Sequence, residues 1–433
     1  MNVYIETYGC QMNVADSELV ASILKDDKLS VVTDIADADV IIFNTCSVRQ
    51  HAEDRVLGRI SNEMSRKRDK RNLKIGVIGC MAQRLDAKLN DLNSNIDFVV
   101  GVDQYKHLPK IIADLFEEPD FKCNTDVDDT EIYKDIYPIH TGEFNAFVTI
   151  MRGCNNFCSY CIVPYTRGRE RSRPIEDIIN EITKIGQKGF MDVTLLGQNV
   201  NSYNYKSINF AELLRQVNKI NTIKRVRFVT SHPKDLSDEV INVMAESGKV
   251  CEHLHLAMQS GDDEILAKMN RGYTAQHFLD ITRKLRKAMP DIAITTDIIA
   301  GFPGETEEQF QRTFDLMKKI QFDYAFTFKY SPRTGTKAAD YTDQIVEETR
   351  LERLQKLIEL QQDITTAKYQ EQIGKTKEIY VEQVSKKSEN EMAGKSRDFK
   401  ITVFPGDKSL IGTFVKVKIT DAVGWTLKGE MIK

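Results

Sequence analysis

The sequence predicts a multidomain α/β protein: an N-terminal doubly wound parallel-sheet domain, a central partial (β/α)6 barrel and a small C-terminal five-stranded β-barrel. Three observations carry that prediction. Apolar runs of strand length alternate with amphipathic helical stretches over residues 1–117 and again, with a longer period, over 143–366. From Lys377 onward the helical period gives way to short β-rich runs separated by turns at Gly406, Gly412 and Gly424. The chain has 433 residues, enough for roughly two to four domains with buried cores.

In the first domain, 1–117, the apolar runs are Val3 to Tyr8, Asp39 to Asn44, Lys74 to Ile78 and Phe98 to Gly101. Between them Asp16 is placed to cap a helix whose Leu19, Val20, Ile23 and Leu24 share a face, and Ala52, Val56, Ile60 and Met64 recur every fourth residue. Cys10, Cys46 and Cys80 each sit just past an apolar run, at strand ends that collect on one edge of a parallel sheet. They are therefore placed to converge; the alternative is three buried thiols acting as small apolar fillers. The basic run Arg66 to Arg71 reads either as a phosphate site or as a solvated helix end. Residues 118–142, acidic and polar, read as a linker in which Cys123 is an exposed bystander.

The central domain, 143–366, offers strands at Phe147 to Met151, Asp192 to Leu196, Arg225 to Val229, Glu252 to Leu256, Ala293 to Ile299 and Tyr324 to Phe328. Helical patterns such as Phe210 to Val217 and Glu307 to Ile320 fill the gaps. Strand-end loops of such a barrel form the active rim. Polar residues stand there: a cysteine loop after the first strand, Gln198 and Asn199 after the second, then Ser231 with His232, Gln259 with Ser260, Asp297, and Lys329 with Tyr330. His232 either caps a turn before Pro233 or faces a ligand, whereas His253 and His255 read as packed. Gly301 to Glu305 opens a helix with N–H groups free to meet a ligand, without the spacing of a nucleotide fingerprint. Arg167 to Arg173 is dense in guanidinium groups, which favours phosphate or carboxylate contact. The last domain, 367–433, carries 13 Lys or Arg against 9 Asp or Glu from Lys368 on, a mild basic excess suited to RNA.

Composition excludes little else. A 41% hydrophobic and 29% charged chain with net charge -4 is that of a soluble globular protein. No apolar run approaches the roughly 18 residues of a membrane span, and no signal segment opens the chain, so no membrane partner and a cytoplasmic location are expected.

The densest chemistry lies in Arg152-Gly153-Cys154-Asn155-Asn156-Phe157-Cys158-Ser159-Tyr160-Cys161. Three thiolates are soft ligands suited to an iron-sulfur cluster, and on four irons they leave one iron open to a substrate. A zinc site competes, but no second C-x-x-C or H-x3-H half follows at finger-like distance; a redox disulfide would leave Cys154 surplus. The pattern C-x3-C-x-aromatic-C, with Tyr160 as the aromatic, resembles the signature of the radical S-adenosylmethionine (SAM) superfamily. Thr7 to Asn13, Asn44 to Arg49, Val163 to Gly168, Leu195 to Asn201 and Thr230 to Pro233 extend the resemblance to the whole chain and to the methylthiotransferase family. One departure is Leu256-Ala257-Met258-Gln259-Ser260-Gly261, where the family usually has Leu-Pro.

The resemblance implies two 4Fe-4S clusters, one on Cys154, Cys158 and Cys161 that binds SAM, and an auxiliary one on Cys10, Cys46 and Cys80. Tyr160 of the signature and the rim residues Gln198, Asn199, Ser231, Gln259, Ser260 and Asp297 are the candidate SAM contacts, and the resemblance implies a C-terminal TRAM domain for RNA. Gln11-Met12-Asn13 favours members that methylthiolate C2 of N6-isopentenyladenosine beside the anticodon of tRNA, using one SAM as methyl donor and one as radical source. Members acting on threonylcarbamoyladenosine or on a ribosomal-protein aspartate are the alternative; an RNA-binding iron-sulfur sensor is the non-enzymatic one. The anticodon stem-loop, an electron donor such as flavodoxin or ferredoxin, and a monomeric state complete the expectation.

Overall fold

The computed structural model describes residues 1–47, 50–70, 72–142 and 144–432. Val48, Arg49 and Arg71, which belong to motifs named above, lie outside the described residues, as do the side chains of Ala52 and Met64. Three units follow one another along the chain.

The first is a six-stranded sheet of β1 (Asn2–Thr7), β2 (Ser30–Val32), β3 (Val40–Thr45), β4 (Lys74–Gly79), β5 (Phe98–Val100) and β6 (Lys122–Asn124), in the order β2-β1-β3-β4-β5-β6. Every pair is parallel. Strands β3, β4 and β5 are buried throughout, as parallel strands covered on both faces must be, which is why they read as unbroken apolar runs. The strand order reverses between β1 and β3, and the crevice at such a reversal is where open α/β sheets take ligands. Two expectations change here. Residues 118–142 are not a bare linker, since β6 extends the sheet and Tyr133 is buried against Tyr105. Asp16 does not cap the first helix; the helix runs Gln11–Asp26 with Cys10 at its N-cap, and Asp16 is fully buried inside it.

The second unit consists of β7 (Asn145–Thr149), β8 (Asp192–Leu196), β9 (Arg225–Phe228), β10 (His253–His255), β11 (Ala293–Ala300) and β12 (Tyr324–Lys329). They form two parallel three-stranded sheets, β9-β8-β7 and β10-β11-β12. The bridges Val226–Val250 and Ser231–Leu256 join them at β9 and β10. No ladder among the described residues joins β7 to β12, so the six-stranded barrel is open on that side. Ile178, Ile182, Leu213, Leu214, Phe278 and Phe310 from the surrounding helices pack against the strands in one core.

After the helix Glu347–Gln370, strands Thr376–Val384, Glu391–Ser396, Ile401–Pro405, Phe414–Val423 and Thr426–Met431 close a five-stranded barrel around Ile379, Val381, Met392, Phe404, Val417 and Leu427. The flanking units grip opposite ends of the central one. Met12 and Ala15 of the first helix pack on Leu196, at the carboxyl end of β8. At the amino ends, Arg225 donates to the Lys395 and Glu378 carbonyls at 2.7 and 2.9 Å, and Arg227 to those of Arg397 and Ser396, both at 2.9 Å. Charge-assisted bonds of this kind contribute about 1.5–3 kcal/mol each. No helix among the described residues is long and apolar enough to cross a membrane.

Candidate active site

Cys10, Cys46 and Cys80 come together at the reversal point of the first sheet, following β1, β3 and β4. Two glycines make the approach possible. Gly9 has φ +130°, and a Cβ there would lie 2.4 Å from Cys46 Cβ; Gly79 has φ +95°, and a Cβ there would lie 2.5 Å from the Thr45 carbonyl oxygen. Neither backbone conformation nor either gap admits a side chain. Asn13 then fastens the loops: its Nδ2 donates to Asn44 Oδ1 at 3.1 Å and to the Thr45 carbonyl at 3.2 Å, while Asn44 Nδ2 returns a bond to the Asn13 carbonyl at 2.8 Å. The Cys46 thiol bonds to Cys10 and, with a smaller contribution from Arg167, brings Cys10 down to about 6 against the partial desolvation that raises it. Burial pushes Cys80 up.

The second triplet is built from one loop. Ser159 N and Oγ bond to the Met269 and Lys268 carbonyls at 3.0 and 2.8 Å, and Asn270 Nδ2 holds the carbonyls of Asn156 and Phe157 at 2.9 and 3.1 Å. Burial, followed by the neighbouring Cys158, pushes Cys161 up to about 12, and burial also raises Cys154. Tyr160 lies edge-on to the buried Phe302. Arg271, 5% exposed, donates to Cys158 Sγ at 3.4 Å and to the Ala257 carbonyl at 2.7 Å. With Tyr273 bonded to the Met258 carbonyl at 2.5 Å, side chains fix the backbone where the family's proline is missing.

Both donor sets fit iron-sulfur clusters. A buried guanidinium without a counter-ion costs several kcal/mol, and Arg271 donates to Cys158 Sγ, so an anionic cluster held by this triplet would stand beside a buried positive charge. Arg167 likewise donates to Cys80 Sγ at 3.2 Å. Among the described residues no three of His, Cys, Asp or Glu converge on a point fit for a single metal ion.

A cavity of about 720 Å³ links the units. Cys10 and Gln11 line one end, Phe399, Lys400 and Trp425 of the small barrel the other, and between them stand alternate residues of the strands, Thr295 and Asp297 on β11 and Tyr324, Phe326 and Phe328 on β12. His255, read as packed, faces this space; its Nε2 lies 3.1 Å from Asp297 Oδ2 and its Nδ1 3.0 Å from Thr295 Oγ1. The other rim residues differ in their surroundings. Gln198 Oε1 and Ser231 Oγ are buried without a partner, as groups awaiting a ligand are. Gln259 takes φ +67° and bonds through its backbone to Asp297 and Ile299 at 2.8 and 2.9 Å. Asn199 Nδ2 donates to Asp235 at 2.6 Å and its Oδ1 accepts from the His232 N–H at 3.2 Å, and Ser260 Oγ lies 3.2 Å from Thr313 Oγ1.

Several surface readings resolve into structure. Arg167, Arg171 and Arg173 are buried and paired with Asp16, Asp103 and Glu181 at 2.7, 2.9 and 2.8 Å; only Arg169 is exposed, stacked on Phe157. The run is an internal clamp, not a phosphate site. Its partners are scattered through the sequence, so no local pattern announced them. Arg66, Lys67 and Lys70 pair locally with Glu63, Asp97 and Asp39. His232 Nδ1 caps its own turn by accepting from Lys234 N at 3.2 Å, and burial, then Arg271 and Lys234, bring it down to about 2. In the Gly301 loop, the N–H groups of Gly301 and Gly304 are taken by Glu305 and by the Asp343 carbonyl, both at 2.8 Å. Cys123 is exposed and bonded to Asp86 at 2.9 Å.

Comparison with known proteins gives the same three-part division. Residues 148–317 match the radical SAM superfamily, 2–101 an uncharacterized protein family, UPF0004, and 370–432 the TRAM domain. Curated relatives named tRNA-2-methylthio-N(6)-dimethylallyladenosine synthase are similar over their length. The Thermoanaerobacter sp. (strain X514) protein is 48% identical over 435 residues, covering 99% of this chain and 92% of the relative. That of Carboxydothermus hydrogenoformans is 47% identical, covering 99% of each. Among solved structures, the radical SAM methyltransferase TsrM from Kitasatospora setae, with cobalamin and a [4Fe-4S] cluster bound, superposes with TM-score 0.59 at 12% identity over 78% of this chain and 74% of that one. Such a likeness speaks for the fold alone.

Proposed function

The chain belongs to the family of tRNA-2-methylthio-N(6)-dimethylallyladenosine synthases, and from that premise we propose how its residues divide the work of methylthiolating C2 of N6-isopentenyladenosine beside the anticodon of tRNA. The observation that carries the reading is the cavity shared by Cys10, the barrel strands and the small barrel. Cys154, Cys158 and Cys161 hold the SAM-binding cluster of the central domain, 143–366, and Cys10, Cys46 and Cys80 the auxiliary cluster of the domain 1–117. Bound there, the two clusters supply one-electron cleavage of SAM and the sulfur to be inserted, chemistry no side chain performs at an unactivated aromatic C–H.

The protein's own tasks are placement and exclusion. The open side between β7 and β12 admits a flipped base, as enzymes acting on a base require. Phe326, Phe328 and Tyr324 offer an apolar wall for the isopentenyl group, and the His255–Asp297 pair offers polar contacts to the purine edge. The mildly basic C-terminal domain, 367–433, with Trp425 half exposed beside Tyr324, holds the anticodon stem-loop. Gln198 and Ser231, with unpartnered buried oxygens, contact SAM together with Tyr160. The enzyme works as a cytoplasmic monomer that takes electrons from a flavodoxin or ferredoxin.

Mass spectrometry of tRNA nucleosides from a strain lacking the gene tests the substrate. The 2-methylthio isopentenyl nucleoside should disappear and unthiolated isopentenyladenosine accumulate; persistence of the product, with no second such enzyme present, would refute the assignment.

A further inference from the structure

Two buried arginines meet on one buried carboxylate between the triplets. Arg152 Nη2 donates to Asp16 Oδ1 and Arg167 Nη2 to Asp16 Oδ2, both at 2.7 Å, and Arg167 Nε donates onward to Cys80 Sγ at 3.2 Å. Asp16 is 0%, and Arg152 and Arg167 each 3%, exposed. Arg152 stands two residues before Cys154, so an unbroken line of contacts runs from the barrel cysteine loop, through Asp16 of the N-terminal domain, to the Cys80 sulfur. Two guanidiniums on one carboxylate leave an excess positive charge in a buried place, and the Nη1 atoms of both arginines have no hydrogen-bond partner among the described residues, although the Arg152 guanidinium lies over the Tyr133 ring. Such a charge is stable only beside an anion. Cys80 is what Arg167 touches.

Hydrogen bonds and positive charge at a ligating sulfur stabilise the reduced, more negative state of an iron-sulfur site and so raise its reduction potential. We propose that Arg167 is a tuning residue: held in place by Asp16, its guanidinium raises the potential of the auxiliary cluster through Cys80 and locks that cluster's domain in register with the Cys154 loop. The proposal rests on Cys10, Cys46 and Cys80 being cluster ligands.

The test is an EPR-monitored redox titration of the reconstituted holoenzyme, with the auxiliary signal identified by its loss in Cys80→Ala. In Arg167→Lys a single ammonium cannot serve both Asp16 and Cys80, and the auxiliary midpoint should move to a more negative value by roughly a tenfold change in the reduction equilibrium, 59 mV for one electron. Arg171→Lys, in the same buried segment but bonded to Asp103 and to the Arg167 carbonyl and not to Cys80, should leave it in place. Arg167→Gln, which keeps an N–H donor and loses the charge, is the variant to read if Arg167→Lys sheds its cluster, and a shift of the same sign is expected. An unchanged auxiliary midpoint in a loaded Arg167 variant, or an equal shift in Arg171→Lys, overturns the proposal. If Cys80→Ala keeps both signals, the ligand assignment falls instead, and the proposal with it.

Discussion

The two cysteine triplets reach similar surroundings by opposite routes. Cys154, Cys158 and Cys161 occupy one loop, and that loop is held by backbone bonds to Lys268 and Met269 and by one guanidinium, Arg271. Cys10, Cys46 and Cys80 come from three strand ends, and their meeting needs two glycines at positive φ, the Asn13–Asn44 lacing and a clamp to a second domain. A contiguous triplet depends on its own loop. A dispersed triplet depends on a whole sheet, and so on every residue that sets that sheet's ends.

The largest expected effect separates the two sets by function. Alanine at Cys154, Cys158 and Cys161 should abolish both SAM cleavage and methylthiolation, whereas alanine at Cys10, Cys46 and Cys80 should abolish only the second; 5'-deoxyadenosine and modified tRNA are assayed side by side. Loss of cleavage in the second variant, with the barrel cluster loaded, would break the separation. Next in size is Asp16→Ala, which leaves two guanidiniums buried without their carboxylate and should cost about 3–5 kcal/mol by chemical denaturation. Burial opposes ionisation of Asp16, but Arg167 and Arg152 hold it below its ordinary 3.8. Its contribution is therefore present above pH 3.8 and lost as pH falls further. Gly79→Ala should cost about 1–3 kcal/mol, through φ +95° and the contact with Thr45. Phe326→Ala should narrow the preference for isopentenylated over unmodified tRNA by about 1–3 kcal/mol in kcat/KM. The smallest perturbation changes no residue. In cluster-free protein, iodoacetamide should label Cys10 with a midpoint near pH 6, because Cys10 is brought down to about 6, while Cys161, pushed up to about 12, stays unlabelled at pH 8.

The contrast also governs what the sequence disclosed. The Cys154 loop and the six barrel strands were legible because each is a local pattern; Asp192–Leu196 and the helix Glu307–Ile320 coincide with their sequence boundaries. Strand Glu391–Ser396 has no such pattern, since Glu-Met-Ala-Gly-Lys-Ser has no β-branched residue, and it forms because neighbours on both sides pair with it. Asp16 looked like a helix cap because its use, a buried double ion pair, involves residues 136 and 151 positions away. The arginine run was legible as phosphate or carboxylate contact, but not as contact with the chain's own Asp16, Asp103 and Glu181, for the same reason. His255 and Asp297 are 42 residues apart, and only the parallel register of β10 and β11 makes them a pair facing the cavity.

The proposed division of work rests on two separate triplets, Cys154, Cys158 and Cys161 in one loop and Cys10, Cys46 and Cys80 at three strand ends, each with its own cluster. Iron content combined with Mössbauer spectroscopy of reconstituted protein tests it most directly. About eight irons per chain are expected in the wild type and about four in each triple-alanine variant, with the spectrum of a [4Fe–4S] cluster in all three. About four irons in the wild type, lost entirely when Cys154, Cys158 and Cys161 are replaced and unaffected by replacing Cys10, Cys46 and Cys80, would contradict it.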